Sequence, residues 1–257
     1  MSNTNPLSAS IPPQFPAAPL PSRLLPLGEN PEDREPVIGP LAAVEAILRQ
    51  PRRVMFQLRQ PGSGALIRAM LVVAILCAAV YGVVVGTFSM GQQLWVAPVK
   101  IAAGLILSAL ICLPSLYIFT CLSGSRARLS EICGLLSGLL LLMTLLLVGF
   151  APVAWLFSQS TQSAAGMGAL HLVFGLISTI FGLRFLYAGF RHSQARSPAG
   201  LLTWAFIFVL VALQMTTALR PIVGQAGSFL PKEKMFFMAY WAECLKSAPA
   251  AESSRRE

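Results

Sequence analysis

Five uninterrupted apolar stretches dominate the chain, at about 69–88, 101–122, 132–157, 169–190 and 201–219. Each is close to the ~20 residues that a helix needs to cross ~30 Å of hydrocarbon. Inside that layer backbone N–H and C=O groups find no water, so each stretch is predicted to be an α-helix. The runs are continuous rather than alternating over ~10 residues, which argues against an outer-membrane barrel. The expected fold class is all-α, a polytopic integral membrane protein whose five-helix transmembrane domain occupies 69–221.

The flanks have other patterns. Residues 1–40 hold ten prolines and no apolar run. Such density blocks helix and strand ladders and favours extended conformations, so this part is expected to be a disordered proline-rich cytoplasmic tail, either a solvated linker or a docking strip. It lacks the apolar core of a secretory signal, and the first span is expected to act as the insertion signal. Over 41–68, Leu41, Val44, Ile47 and Leu48 fall at helical spacing and Glu45 and Arg49 form an i,i+4 pair. Pro51 then ends that helix. A basic amphipathic element beside a span suits the headgroup layer, where Arg49, Arg52, Arg53 and Arg59 are candidate lipid-headgroup ligands. Residues 222–257 are a polar carboxyl-terminal tail with an amphipathic patch at 229–241.

Composition supports the membrane reading. Only 11% of residues are charged and 55% are hydrophobic, against about 25% charged in a soluble domain. The net charge of +9 is concentrated in loops, so it sets topology rather than implying nucleic acid. Arg49, Arg52, Arg53, Arg59, Arg68, Arg126, Arg128, Arg184, Arg191 and Arg196 fall on one side of the membrane. Lys100 is the one basic residue in the short loops opposite. The amino terminus is therefore expected in the cytoplasm and the carboxyl terminus outside, in a bacterial inner membrane.

Candidate chemistry is sparse. No Asp, Glu or Lys falls deep within a predicted span, and no HExxH, GxSxG or phosphate-binding loop occurs. Of the five cysteines, Cys77, Cys112, Cys121 and Cys133 read as small apolar residues, while Cys244 lies in the tail. No catalytic, cofactor-binding or metal site is expected. Ala78, Gly82 and Gly86, with Gly175, Ser178 and Gly182, form small-residue faces for close helix packing. Pro114 and Pro152 predict kinks. Gln214, Thr217, Arg220, His171 and Ser115 are the candidates for a partner contact or a polar path. Each also has a structural reading, as helix–helix adhesion, or for Arg220 as a snorkelling or helix-closing residue.

Leu113-Pro114-Ser115-Leu116-Tyr117-Ile118-Phe119, the Ala151-Pro152 end of the third span, and Gln214 with Leu219-Arg220-Pro221-Ile222-Val223-Gly224 form a set. Together they resemble a group of bacterial five-span membrane proteins of Yip-like layout. The resemblance covers about 45–240 and departs at Ile222, where the group has Phe. It implies five helices with a small interfacial amino-terminal element and no established activity; an adaptor role follows only by analogy of layout. The expected function is a non-catalytic scaffold or subunit of a membrane complex, with the bilayer and a protein partner as its contacts and no nucleic acid. The alternative is a small transporter or channel for an uncharged or lipid-like solute, whose polar path would run through Gln214, Thr217, Ser115 and His171. An enzyme acting on lipid is a third reading.

Overall fold

A computed structural model describes residues 26–88, 93–125, 127–160, 164–192 and 199–218. Among them every regular element is helical. Three short helices, α1 (Pro31–Arg34), α2 (Pro40–Arg49) and α3 (Pro51–Leu58), precede five long ones: α4 (Gly64–Thr87), α5 (Gln93–Leu122), α6 (Leu129–Ser160), α7 (Ala164–His192) and α8 (Ala199–Ala218). All five long helices are long and apolar enough to cross a membrane, so the all-α, five-span fold class stands.

Every long helix begins before its hydropathic stretch, and α6 and α7 also end beyond theirs. α5 begins at Gln93, eight residues before the expected start at 101, and carries Pro98 and Lys100 inside it. A hydropathy reading stops at the first charge, whereas a helix continues while its backbone is paired. α5 ends at a glycine C-cap. Gly124 has φ +74°, its N–H reaches the Cys121 carbonyl, and the Ser125 N–H reaches Thr120. This double bond pattern closes a helix where glycine alone adopts the left-handed conformation cheaply.

By their main contacts the spans follow the order α7, α6, α4, α5, α8, a row in which α5 also touches α6 and α8 touches α7. α6 is the most buried span and α8 the least. α6 can be so deeply buried because its face alternates small and large side chains: Gly134, Gly138 and Ser137 lie between Leu135, Leu139 and Leu141, all buried. Phe185 of α7 sits on Gly138, and Leu135 of α6 sits on Gly189. α5 and α8 are joined by a different device. The Trp204 indole N–H donates to the Cys112 carbonyl at 2.9 Å, deep in the apolar layer. The Ser115 hydroxyl donates to that same carbonyl, one residue past Pro114, which supplies no N–H of its own.

The amino-terminal part departs most from expectation. Residues 26–40 are not a featureless tail: they carry α1 and fold, with α2 and α3, into a cap over one end of the row. Each cap helix starts with proline at its first position, where the missing N–H costs nothing and the fixed φ favours the first turn. So the prolines here begin short helices rather than prevent them. The face of α2 turned inward is Ala43, Ala46 and Ile47, while Leu41 and Leu48 are exposed. Small side chains let α2 lie close to α4, on which it packs. The remainder of the proline-rich tail, residues 1–25, and the patch at 229–241 lie outside the described residues.

Candidate functional site

The cap is fastened by charge. Arg52 meets Asp33 at 3.5 Å, Arg53 meets Glu35 at 3.4 Å, and Arg59 meets Glu131 in the first turn of α6 at 3.0 Å. Asp33 is almost fully buried, and its carboxylate also accepts the Gly28 N–H at 3.2 Å. Gln57 bridges two strands of the chain, accepting the Val37 N–H at 2.9 Å and donating to the Glu35 carbonyl. Below these polar contacts Val54, Met55 and Leu58 of α3 are buried, with Leu58 lying directly against Gly134 of α6.

These contacts give the arginines named as headgroup candidates partners within the chain. Arg52, Arg53 and Arg59 bind carboxylates and carbonyls of their own chain, including those of Pro26, Glu35 and Pro36. Arg49 is exposed and pairs with Glu45 at 3.0 Å. The reason is proximity: the supposed tail brings Asp33 and Glu35 back to α3, and α6 begins with Glu131. The outward surface of the cap is instead Ile38, Leu41 and Leu48 beside the Glu45–Arg49 pair.

Among the small-residue faces, Ala78, Gly82 and Gly86 are all buried. A Cβ at Gly82 would stand 2.4 Å from the Pro98 Cα, so α4 and α5 touch backbone to backbone there. Gly182 faces the Leu139 carbonyl, 3.0 Å from where its Cβ would lie. Gly175 does not serve this purpose, because a Cβ there meets nothing within 4 Å. Gly134, Gly138 and Gly189 do, and Gly134-xxx-Gly138 carries the four-residue spacing that could have pointed to the first two. Pro114 and Pro152 both lie within helices, in α5 and α6.

The candidate polar residues are not brought together. His171 accepts or donates a 2.7 Å hydrogen bond with the Tyr81 hydroxyl, joining α7 to α4. Ser115 is on α5, and its hydroxyl is spent on the Cys112 carbonyl at 2.8 Å. Gln214 is half-buried on α8, which packs mainly on α5. Nothing is described of the Thr217 side chain, and Arg220 lies outside the described residues. Other span hydroxyls follow Ser115: Ser108, Thr120, Ser137, Thr144 and Thr179 each donate to a carbonyl one turn back on their own helix. Such bonds satisfy a hydroxyl in lipid without opening a polar lumen.

Lys100 was expected in a loop and instead is buried within α5, at 1% exposure. α5 and α8 run antiparallel, fixed by the Trp204–Cys112 bond. Stepping back 12 residues from Cys112 and forward 10 from Trp204, at about 1.5 Å each, puts Lys100 and Gln214 at similar depth. A lysine inside a span turns to the protein interior, as this one does. Trp95, exposed near the start of α5, and Trp155, exposed near the end of α6, mark the end of the row away from the cap, as expected of an interfacial aromatic belt. The chain matches no family model, no curated protein and no solved structure.

Proposed function

We propose that this protein is a non-catalytic membrane scaffold or complex subunit that engages its partner through the folded cap. One observation carries the reading: the described span hydroxyls are mostly consumed by their own helices, while the cap is built with Ile38, Leu41 and Leu48 turned outward around an ion pair. An apolar set rimmed by charge resembles a protein contact surface. What speaks against the transporter alternative is that His171 is bonded to Tyr81 of α4 and the Ser115 hydroxyl is bonded within α5.

The proposal includes a bacterial inner membrane with the cap in the cytoplasm. Arg34, Arg49, Arg52, Arg53, Arg59, Arg68, Arg128, Arg184 and Arg191 all belong to the cap or to the helix ends beneath it, in the sense of the positive-inside rule. A Yip-like adaptor role fits this layout and is part of the same proposal.

Cross-linked co-purification from native membranes tests it, comparing the unaltered chain with Leu41→Gln/Leu48→Gln and with a chain lacking residues 1–25. Both leucines are exposed, so the double variant keeps its fold. A partner set lost in the double variant at equal expression supports the reading. Recovery of the same proteins with all three chains, or of none with any, contradicts it.

A further inference from the structure

α7 packs on α6 through Gly182, Phe185 and Gly189. Val173, Leu176, Ile180, Arg184, Tyr187 and Arg191 stand on the opposite face: with 3.6 residues per turn, all six fall within about 80° of arc. Val173, Leu176 and Ile180 are exposed, Arg184 and Arg191 are exposed, and Tyr187 is half-buried. The stripe is thus apolar at mid-helix and turns to Arg-Tyr-Arg toward one end. That end lies beneath the cap, because Gly189 receives Leu135 of α6, one turn from the Glu131 that holds Arg59.

Depth follows from the same contacts. Gly189 stands level with Leu135, about 6 Å below the Arg59–Glu131 pair. Arg191 is about 3 Å nearer the cap than Gly189, and Arg184 is about 7.5 Å farther from it. A charged side chain that deep in a span ordinarily turns to the protein interior and pairs there. Arg184 does neither. The chain supplies carboxylates to Arg49, Arg52, Arg53 and Arg59. Among the described residues, Arg184, Tyr187 and Arg191 form no hydrogen bond or ion pair, and no acidic residue stands on their stripe.

We propose that Arg184, Tyr187 and Arg191 bind the phosphate of one anionic phospholipid in the leaflet on the cap side, with an acyl chain laid along Val173, Leu176 and Ile180. The stripe reads from apolar to basic in the order in which a phospholipid reads from chain to headgroup. The planar fork of a guanidinium matches two phosphate oxygens. Arginine stems lie along apolar surface while their heads reach the charge, so Arg191 meets the phosphate from the cap side and Arg184 from the lipid side. Tyr187, one turn from each, has a hydroxyl to donate. Two positive charges at one phosphate favour a lipid of net negative charge, since the amine of a zwitterionic headgroup would be repelled. The apolar continuation of the stripe commits the site to lipid rather than free phosphate. The inference needs only that α7 crosses the membrane and is independent of the scaffold reading.

The test strips the full chain of lipid in detergent and follows binding by native mass spectrometry. The probes are phosphatidylglycerol, phosphatidylcholine and inorganic phosphate. One phosphatidylglycerol per chain is expected to be retained more tightly than phosphatidylcholine, and inorganic phosphate should not displace it. Arg184→Gln and Arg191→Gln should each weaken phosphatidylglycerol binding about fivefold. Both arginines are exposed, so the variants keep their fold; Arg191→Gln serves alone if Arg184→Gln does not. Arg68→Gln removes an exposed arginine of α4, off the stripe, and should bind as the unaltered chain does. Equal retention of the two lipids, displacement by inorganic phosphate, unchanged binding in the α7 variants, or an equal loss in Arg68→Gln overturns the proposal.

Discussion

Gly82 and Gly175 have the same side chain, lie in spans and look alike in sequence, yet they do opposite things. Gly82 receives the backbone of Pro98, and neither backbone can yield without parting α4 from α5. Gly82→Ala is therefore expected to destabilise the protein by about 1–3 kcal/mol. Gly175→Ala meets open space and improves helix propensity, so it should be neutral or stabilising by up to about 1 kcal/mol. Thermal unfolding in one detergent compares them, and equal losses would contradict the packing described. The spacing Ala78-xxx-Gly82-xxx-Gly86 disclosed the first glycine's role, because small residues four apart line one helix face. The same logic misjudged Gly175, since a stripe shows where a groove lies and not whether a neighbour fills it. The arginines' partners were illegible for a related reason: they are far off in sequence, Glu131 lying 72 residues from Arg59.

At the scale of elements, the cap and the start of α5 separate pattern from structure. The cap depends on pairs that are partly shielded from water. Arg59→Glu or Glu131→Arg should each cost about 1–3 kcal/mol, and the exchanged double variant should recover much of it. A double variant no better than the sum of the singles would remove the pair as a fastening. Hydropathy placed all five spans because lipid imposes one requirement on each. It could not place the cap, whose prolines read as disorder until their positions at helix starts are known. It also put Lys100 in a loop, because a charge ends an apolar run whether or not the helix ends. On a cysteine-free background, Lys100→Cys is expected to resist membrane-impermeant thiol reagents, while Trp95→Cys, exposed on the same helix, reacts. Similar rates at both positions would return Lys100 to a loop.

The whole molecule is a row of five apolar helices, with α6 innermost and a charged cap at one end. Trp95 and Trp155 are exposed toward the opposite end, and the described arginines gather beneath the cap. On the proposed scaffold reading, this polarity leaves the cap to meet a partner and the apolar helices to anchor it at the membrane. It also explains why function was less legible than fold: a span is written in twenty consecutive residues, whereas the face that the cap turns outward depends on fastenings distant in sequence, such as Arg59 to Glu131. A membrane-crossing α6 puts the cap and the Ser160 end of that helix on opposite sides of a membrane, across its length of roughly 48 Å. Single cysteines at Ile38, on the cap, and at Ser160, the last residue of α6, measure this directly on a cysteine-free background in intact cells. The prediction is that an impermeant thiol reagent labels Ser160→Cys from outside and reaches Ile38→Cys only after lysis. Labelling of both from the same side would contradict a membrane-crossing α6, and labelling of Ile38→Cys alone from outside would contradict the cytoplasmic cap.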